Sequence, residues 1–251
     1  MLKLMKRIIF ILILAAFFIV LTAGLLTVFF DQSVIVRKNT IYHVPVSERV
    51  VAITFDDGPS PKWTPEILDA LKAAQVKATF FMIGEHVKLY PDLAKRVADE
   101  GHEIGNHTYD HHGIFYYKTE ELDKEIRDTQ EEIYKAVGIT TKYFRPPKAW
   151  LTAREKKEIK RIGYETVLWS LNSKDWVNFD DRYIIKYILH YVRPGDILLF
   201  HDSGGVFHPD NGNREETVKT IPRLIEKLKD KGYRFVTISE LLELHKINGK
   251  Q

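Results

Sequence analysis

Between Glu48 and Leu244, short apolar runs alternate with longer stretches of helical period, and this alternation restricts the fold more than any other feature of the chain. Runs such as Val50-Val51-Ala52-Ile53 are too short for helices and apolar on both faces, as buried strands are. The pattern predicts strands over 50–55, 78–83, 102–106, 142–145, 164–171, 196–200 and 233–236. It predicts helices from Thr64-Pro65 to about Gln75, from Pro91 to Gly101, and over 119–137, capped by Thr119 and closed by Gly138. Further helices are expected from a Thr152 cap to Ile162, from an Asp180 or Asp181 cap to Val192, over 215–231 and over 239–244. Strands that alternate with helices pair in parallel through helical crossovers.

Such units close into a barrel or open into a doubly wound sheet, and two observations favour the barrel. The polar, chemically capable residues all follow strands: Asp56 and Asp57, His107, Arg145, Asp175 and His201. In a barrel these positions converge on the C-terminal rim. The turn after the first strand is Asp-Asp-Gly-Pro, whose charge is wrong for a phosphate loop, so no nucleotide cofactor is expected.

The N-terminus is unlike the rest. Lys3, Lys6 and Arg7 precede an unbroken apolar run over residues 8–30, about 23 residues and long enough to span a bilayer. A secretory apolar region is usually ~7–15 residues and ends at a small-residue site. Here Ala15, Ala16, Ala23 and Gly24 lie inside the run, which favours an uncleaved anchor over a cleaved signal peptide. The basic flank stays cytoplasmic, so the remainder faces outward from a membrane crossed once; an outward domain without cysteine fits the exterior of a bacterial cell membrane. Residues 1–30 are read as cytoplasmic tip and anchor, 31–47 as a stalk or linker with Val34, Val36, Ile41 and Val44 available to pack on the domain, and 48–251 as one domain. A formal net charge of +3 does not call for nucleic acid, and a chain without cysteine has neither disulfides nor a thiolate metal site. A monomer is expected.

Thr54-Phe55-Asp56-Asp57-Gly58-Pro59 ends the first strand with two adjacent carboxylates, which repel unless something compensates them. Alone, that is also an ordinary solvated turn. His107 and His111, four residues apart, are expected on one helical face and close enough to share an ion. With Asp57 they make a set of two imidazoles and one carboxylate, which leaves positions open for water or substrate, as a hydrolytic Zn²⁺ site requires. Co²⁺, Mn²⁺ or Ni²⁺ also suit these donors. His112 points off that face and is read as a bystander.

Over about residues 49–244 the chain resembles the polysaccharide deacetylases of carbohydrate esterase family 4, the NodB-type domain. The motifs appear in order: Thr54-Phe-Asp-Asp-Gly-Pro59, His107-Thr-x-x-His111, Arg145-Pro-Pro147, Asp175-Trp176 and Leu199-Phe-His201. The resemblance implies a distorted (β/α)7 barrel in which Asp57, His107 and His111 bind the metal. It makes Asp56 the general base and His201 the general acid. Arg145 would orient Asp56, and Asp175 would orient and tune His201. Trp176 and Leu199 would wall a pocket for the acetyl methyl. Pro147 would line the substrate site beside Lys148, whose backbone N–H would face the oxyanion.

Two departures stand out. The Arg-Pro-Pro motif usually continues with a glycine where this chain has Ala149, and an aspartate usually stands where it has Asn172. Neither removes a proposed ligand, base or acid. The Gly-rich segment 203–213 is expected to shape the groove. The resemblance implies N-deacetylation of a peptidoglycan or chitin-like polymer; the alternatives are an O-acetyl esterase of the xylan type and a catalytically silent glycan-binding wall protein.

Overall fold

The first strand, β1 (Val50–Asp56), is buried at every position, and the sheet is built outward from it. The structure is a computed structural model that describes residues 2–29, 33–112, 117–177, 180–204 and 212–248. β2 (Thr79–Met82) and β7 (Ile197–His201) flank β1, both parallel to it. β3 (Glu103–Asn106), β4 (Tyr143–Phe144) and β5 (Glu165–Thr166) follow beyond β2, and β6 (Leu171–Asn172) lies beyond β7. β8 (Arg234–Phe235) joins only the start of β1. The order β5-β4-β3-β2-β1-β7-β6, parallel throughout, is a curled sheet and gives the distorted barrel predicted above.

Side chains on a strand alternate between faces, and this sorts β1 into two sets. Val51, Ile53 and Phe55 pack outward with Leu68 and Leu71 of α3 (Trp63–Ala73) and with Ile221 and Leu224 of α9 (Glu215–Asp230). Phe55 also stacks on Phe80, with ring centroids 4.9 Å apart. Truncating such a buried aromatic to alanine costs about 3–5 kcal/mol. Val50 and Ala52 pack in the second cluster with Ile197, Leu199, Phe81 and Trp169, inside the curl of the sheet. Thr54 and Asp56 continue that inward row on β1, and His201 continues it on β7.

The stretch read as a stalk or linker lies along the open side of the curl. After a short helix α2 (Ser33–Val36), Ile41 bridges to Val167 and His43 to Asp196. Ile41 N–H donates to Thr166 O at 2.9 Å, Leu168 N–H donates to Ile41 O at 2.7 Å, and Val44 N–H donates to Gly195 O at 3.0 Å. Val44 is buried, and Val36 and Ile41 pack against the same cluster. Residues 33–46 thus form a strap between β5 and β7.

The single strand predicted over 164–171 is instead two short ones, β5 and β6, on opposite sides of the sheet. The backbone between them is drawn off the ladder by charged donors. Arg145 donates to the carbonyls of Val167 and Leu168, and Arg37 to those of Trp169 and Ser170. Helices α5 (Pro91–Asp99), α7 (Ala153–Arg161) and α8 (Asp181–Tyr191) fall where expected, with Thr152 and Asp180 as N-caps. In the long helix α6 (Thr119–Val137) the expected cap, Thr119, is the first helical residue, and Lys118 stands at the N-cap instead, where its N–H donates to Glu121. A helix that the pattern missed, α4 (Gly84–Leu89), follows β2 directly, and α10 (Ile238–Asn248) closes the chain.

The N-terminal helix α1 (Leu2–Phe29) contains a window, Met5–Thr22, with mean hydropathy 2.4 and none of it buried in the protein. It is long and apolar enough to cross a membrane.

Candidate active site

β1 delivers Asp56 on the inward row, and the chain then turns at Asp57, which takes a left-handed φ of 79°. His107 follows β3 and is buried; its Nδ1 lies 2.7 Å from the carbonyl of Arg145. A carbonyl only accepts, so Nδ1 carries the proton and Nε2 presents a lone pair. That Nε2 lies 3.4 Å from Asp57 Oδ1, and His111 Nε2 lies 3.1 Å from the same oxygen. The three ligand atoms fall within 4.8 Å of one another.

The expected helical turn for the two histidines is not there. They sit on a loop in which Thr108 (φ 68°) and His111 (φ 58°) are left-handed. The loop is held by Glu125 of α6, whose carboxylate accepts from the N–H groups of Tyr109 and Asp110. Four residues of separation still bring the rings to 4.9 Å, but by a folded-back loop rather than one helical face.

Asp57 Oδ1 is buried and accepts no hydrogen bond among the described residues. Burial pushes its carboxyl pKa up, but His111, His107 and His201 outweigh this and hold it well below the usual carboxylate range. An ionised buried oxygen without a hydrogen-bond donor, flanked by two imidazole nitrogens, fits a divalent cation.

Asp56 is bound from the other side. Arg145 is wholly buried, and its NH1 donates to Asp56 Oδ1 and to Thr54 Oγ1, each at 2.7 Å. The guanidinium lies over the Phe81 ring at 4.0 Å. Asp56 Oδ2 stays free of Arg145 and lies 3.9 Å from His107 Nε2. Arg145 therefore grips Asp56 with its side chain and His107 with its carbonyl.

His201 ends β7 opposite Asp56, its register partner across the β1–β7 pair. Its Nδ1 lies 2.8 Å from Asp175 Oδ1, and its backbone N–H donates to Asp175 Oδ2 at 2.9 Å. Thr217 of α9 also donates to Oδ2, at 2.8 Å. Burial raises the Asp175 pKa, but His201 and these donors bring it down to about 2. Burial lowers the pKa of His201, yet Asp175 more than offsets this and the imidazole ends above its ordinary value.

The sequence profile of the polysaccharide deacetylase family matches residues 43–167. A peptidoglycan-N-acetylglucosamine deacetylase of Bacillus cereus is 41% identical over 203 residues, covering 80% of this chain and 92% of that protein. The chain belongs to the polysaccharide deacetylase family. Peptidoglycan-N-acetylmuramic acid deacetylase PdaA of Bacillus subtilis is 33% identical over 215 residues, covering 84% of this chain and 78% of its own. A crystal structure of a peptidoglycan N-acetylglucosamine deacetylase in complex with 4-naphthalen-1-yl-N-oxidanyl-benzamide superposes with a TM-score of 0.76 at 34% identity. It covers 84% of this chain and 96% of that one.

The remaining residues that the resemblance to polysaccharide deacetylases singled out lie on or beneath the same rim. Trp176, 39% exposed, follows Asp175 in a short 3-10 turn. Leu199 is buried one inward step below His201, beside Trp169 and Ala149 in one cluster. Pro147 is buried, and Lys148 is exposed at φ 58°. Ala149 also takes a positive φ, 57°, where polysaccharide deacetylases usually have glycine; the left-handed region costs an L-residue roughly 1–2 kcal/mol. Asn172 keeps a structural use, since its Oδ1 accepts from Lys174 N–H at 2.9 Å in the turn before Asp175. Most of the 203–213 segment lies outside the described residues.

Sequence reasoning missed one buried carboxylate of this cluster. Asp202, next to His201, accepts from Thr64 Oγ1 at 2.6 Å and donates its backbone N–H to Asp56 O at 3.1 Å. Burial, with the charges of Asp57 and Asp56, pushes its carboxyl pKa up to about 7. It also explains Gly58: a Cβ there would fall 2.1 Å from Asp202 Oδ2. Adjacency to His201 was the available signal, but nothing in the sequence says that the side chain turns inward under Gly58.

Proposed function

We propose that this chain is a membrane-anchored, metal-dependent N-deacetylase that hydrolyses the acetamido groups of peptidoglycan and releases acetate. The observation that carries it is the convergence at one end of the sheet of Asp57, His107 and His111 with two further pairs, Asp56–Arg145 and Asp175–His201. Retention of all of them speaks against a silent glycan-binding protein. The relatives named for peptidoglycan support the polymer. Zn²⁺ is the proposed ion, on Asp57, His107 and His111. The apolar α1 supports a single membrane crossing with the catalytic domain outside the cell.

Bound there, a divalent cation supplies Lewis-acid activation of water and of the amide carbonyl. Asp56 takes a proton from the attacking water through Oδ2, the oxygen that Arg145 leaves free. Arg145 keeps that carboxylate turned into the site. His201 carries its second proton on Nε2, because Asp175 fixes the first on Nδ1, and gives it to the leaving nitrogen. The Lys148 N–H provides a donor for the negative charge that develops on the acyl oxygen. Leu199 and Trp176 bound the space for the acetyl methyl.

Acetate release from purified peptidoglycan, chitin oligomers and acetylated xylan, each with and without a chelator, tests the reading. Chelator-sensitive release from peptidoglycan supports it. Release from xylan alone makes the protein an esterase, and no release from any of them makes it a binding protein.

A further inference from the structure

Asp57 reaches the two histidines only because its backbone is left-handed, a conformation that costs a non-glycine residue roughly 1–2 kcal/mol. The start of α4 holds it there. Ile83 N–H donates to Gly58 O at 2.9 Å, and His86 Nδ1 lies 2.6 Å from Asp57 O. Because a carbonyl only accepts, Nδ1 of His86 is the protonated nitrogen. The other ring nitrogen, Nε2, is buried and has no hydrogen-bond partner among the described residues. Leaving such an atom unpaired costs about 1–3 kcal/mol, so packing alone does not account for a histidine here.

Gly84 and Glu85, which lie between Ile83 and His86, hold the second ligand loop. Gly84 N–H donates to Thr108 O at 2.9 Å, and Glu85 N–H donates to Tyr109 O at 3.0 Å. A Cβ on Gly84 would fall 2.6 Å from Tyr109 Cδ2, so the contact is as close as a bare backbone allows. Residues 83–86 therefore bridge the Asp57 turn and the His107–His111 loop. Of these four, only His86 contributes a side-chain hydrogen bond, to the Asp57 carbonyl.

We infer that His86 is a positioning residue: through the carbonyl of Asp57 it fixes the turn that aims the Asp57 carboxylate at the cation shared with His107 and His111. The inference rests on the metal-site reading above. His86 is not among the three candidate ligands; it sets how well their atoms are pre-arranged. Partners of this kind typically change metal affinity by 10–100-fold.

The test is the zinc affinity of the purified full chain in detergent, measured by competition with a chromophoric chelator. His86→Leu removes the donor and is expected to weaken zinc binding 10–100-fold. His86→Asn places an amide N–H where Nδ1–H stood, dispenses with the unpaired nitrogen, and is expected to bind within about threefold of wild type. Wild-type affinity in His86→Leu, or equal losses in both variants, overturns the role of His86. A wild-type chain that binds no zinc overturns the metal site itself, a different result. ¹⁵N spectra of the wild-type ring give a readout that does not depend on either variant folding. The neutral tautomer protonated on Nδ1 is expected, and protonation on Nε2 overturns the inference.

Discussion

Asp56 and His201 are register partners on the neighbouring parallel strands β1 and β7, with Asp56 held by Arg145 and His201 held by Asp175. The proposed base and acid thus stand side by side on one face, each with its own countercharge. This arrangement allows their roles to be separated by leaving group. Asp56→Asn is expected to abolish turnover of both an N-acetylglucosamine oligomer and an aryl acetate while metal content stays at the wild-type level. His201→Ala removes the proton donor, which an amine needs and an aryl oxide does not. Its loss on the amide is expected to exceed its loss on the ester by about 10²-fold. Equal losses on both substrates would assign His201 to binding or structure.

The Asp175–His201 pair also sets a pH dependence. His201 is raised above its ordinary value chiefly by Asp175, so the protonated ring persists as pH rises past about 6.5. Activity that uses that proton should fall only as pH climbs through the raised value. Asp175→Asn should move this alkaline limb of kcat/KM to lower pH. Stability follows the same signs. The His201 contribution is complete below its unfolded pKa and is lost as pH rises through the folded one. The Asp175 contribution is present above about 3.8 and is lost as pH falls toward about 2. Denaturant midpoints across pH for wild type and Asp175→Asn check both.

Removing the ion is expected to abolish hydrolysis without unfolding the sheet, because the core does not pass through the ligand atoms. Activity should return with Zn²⁺. In zinc-loaded crystals, Asp57, His107 and His111 should each supply one atom at about 2.0–2.2 Å. Asp57→Ala should lose both metal and activity. An ion bound elsewhere, with these three side chains empty, would sink the assignment.

Arg145 has no exposed surface and donates to Asp56, Thr54 and the carbonyls of Val167 and Leu168. Arg145→Met strands the Asp56 carboxylate and these acceptors in the interior. Breaking a buried ion pair from one side costs about 3–5 kcal/mol. Arg145→Lys should recover little of this, since one ammonium cannot reach acceptors spread around a planar fork. Guanidinium denaturation of both variants measures it. A loss under about 1 kcal/mol would mean that the site stands without Arg145.

Truncation tests the strap. A chain that starts at residue 31 is expected to be soluble and as active as the full protein. One that starts at residue 47 lacks the bridges of Ile41 and His43 and the buried Val44, and should show a lower Tm and aggregate. Equal Tm values would make the strap dispensable.

Much of this was legible in the sequence because it depends on residue type and order. Apolar runs marked β1, β2 and β7, and the motif order placed Asp56, Asp57, His107, Arg145, Asp175 and His201 after strands. What was not legible depends on where polar groups find partners. The 164–171 run looks like one strand by period. It divides because Arg145 and Arg37 capture the carbonyls between β5 and β6. The helical face expected for His107 and His111 fails because Thr108 and His111 adopt left-handed backbone, held by hydrogen bonds from α6 and α4. Gly58 reads as a turn residue, yet its reason is the Asp202 carboxylate pressed against it from far along the chain.

The strap has a consequence for shedding. If α1 anchors the domain as proposed, a protease that frees it would have to cut ahead of Ser33, because cleavage further along would take part of the sheet's closure with it. Ser33 is buried at the head of α2, and Arg37 donates back to its hydroxyl. On the proposed anchoring, release from the cell surface would therefore require a cut ahead of the strap, and a cut inside it would yield inactivation rather than a soluble enzyme.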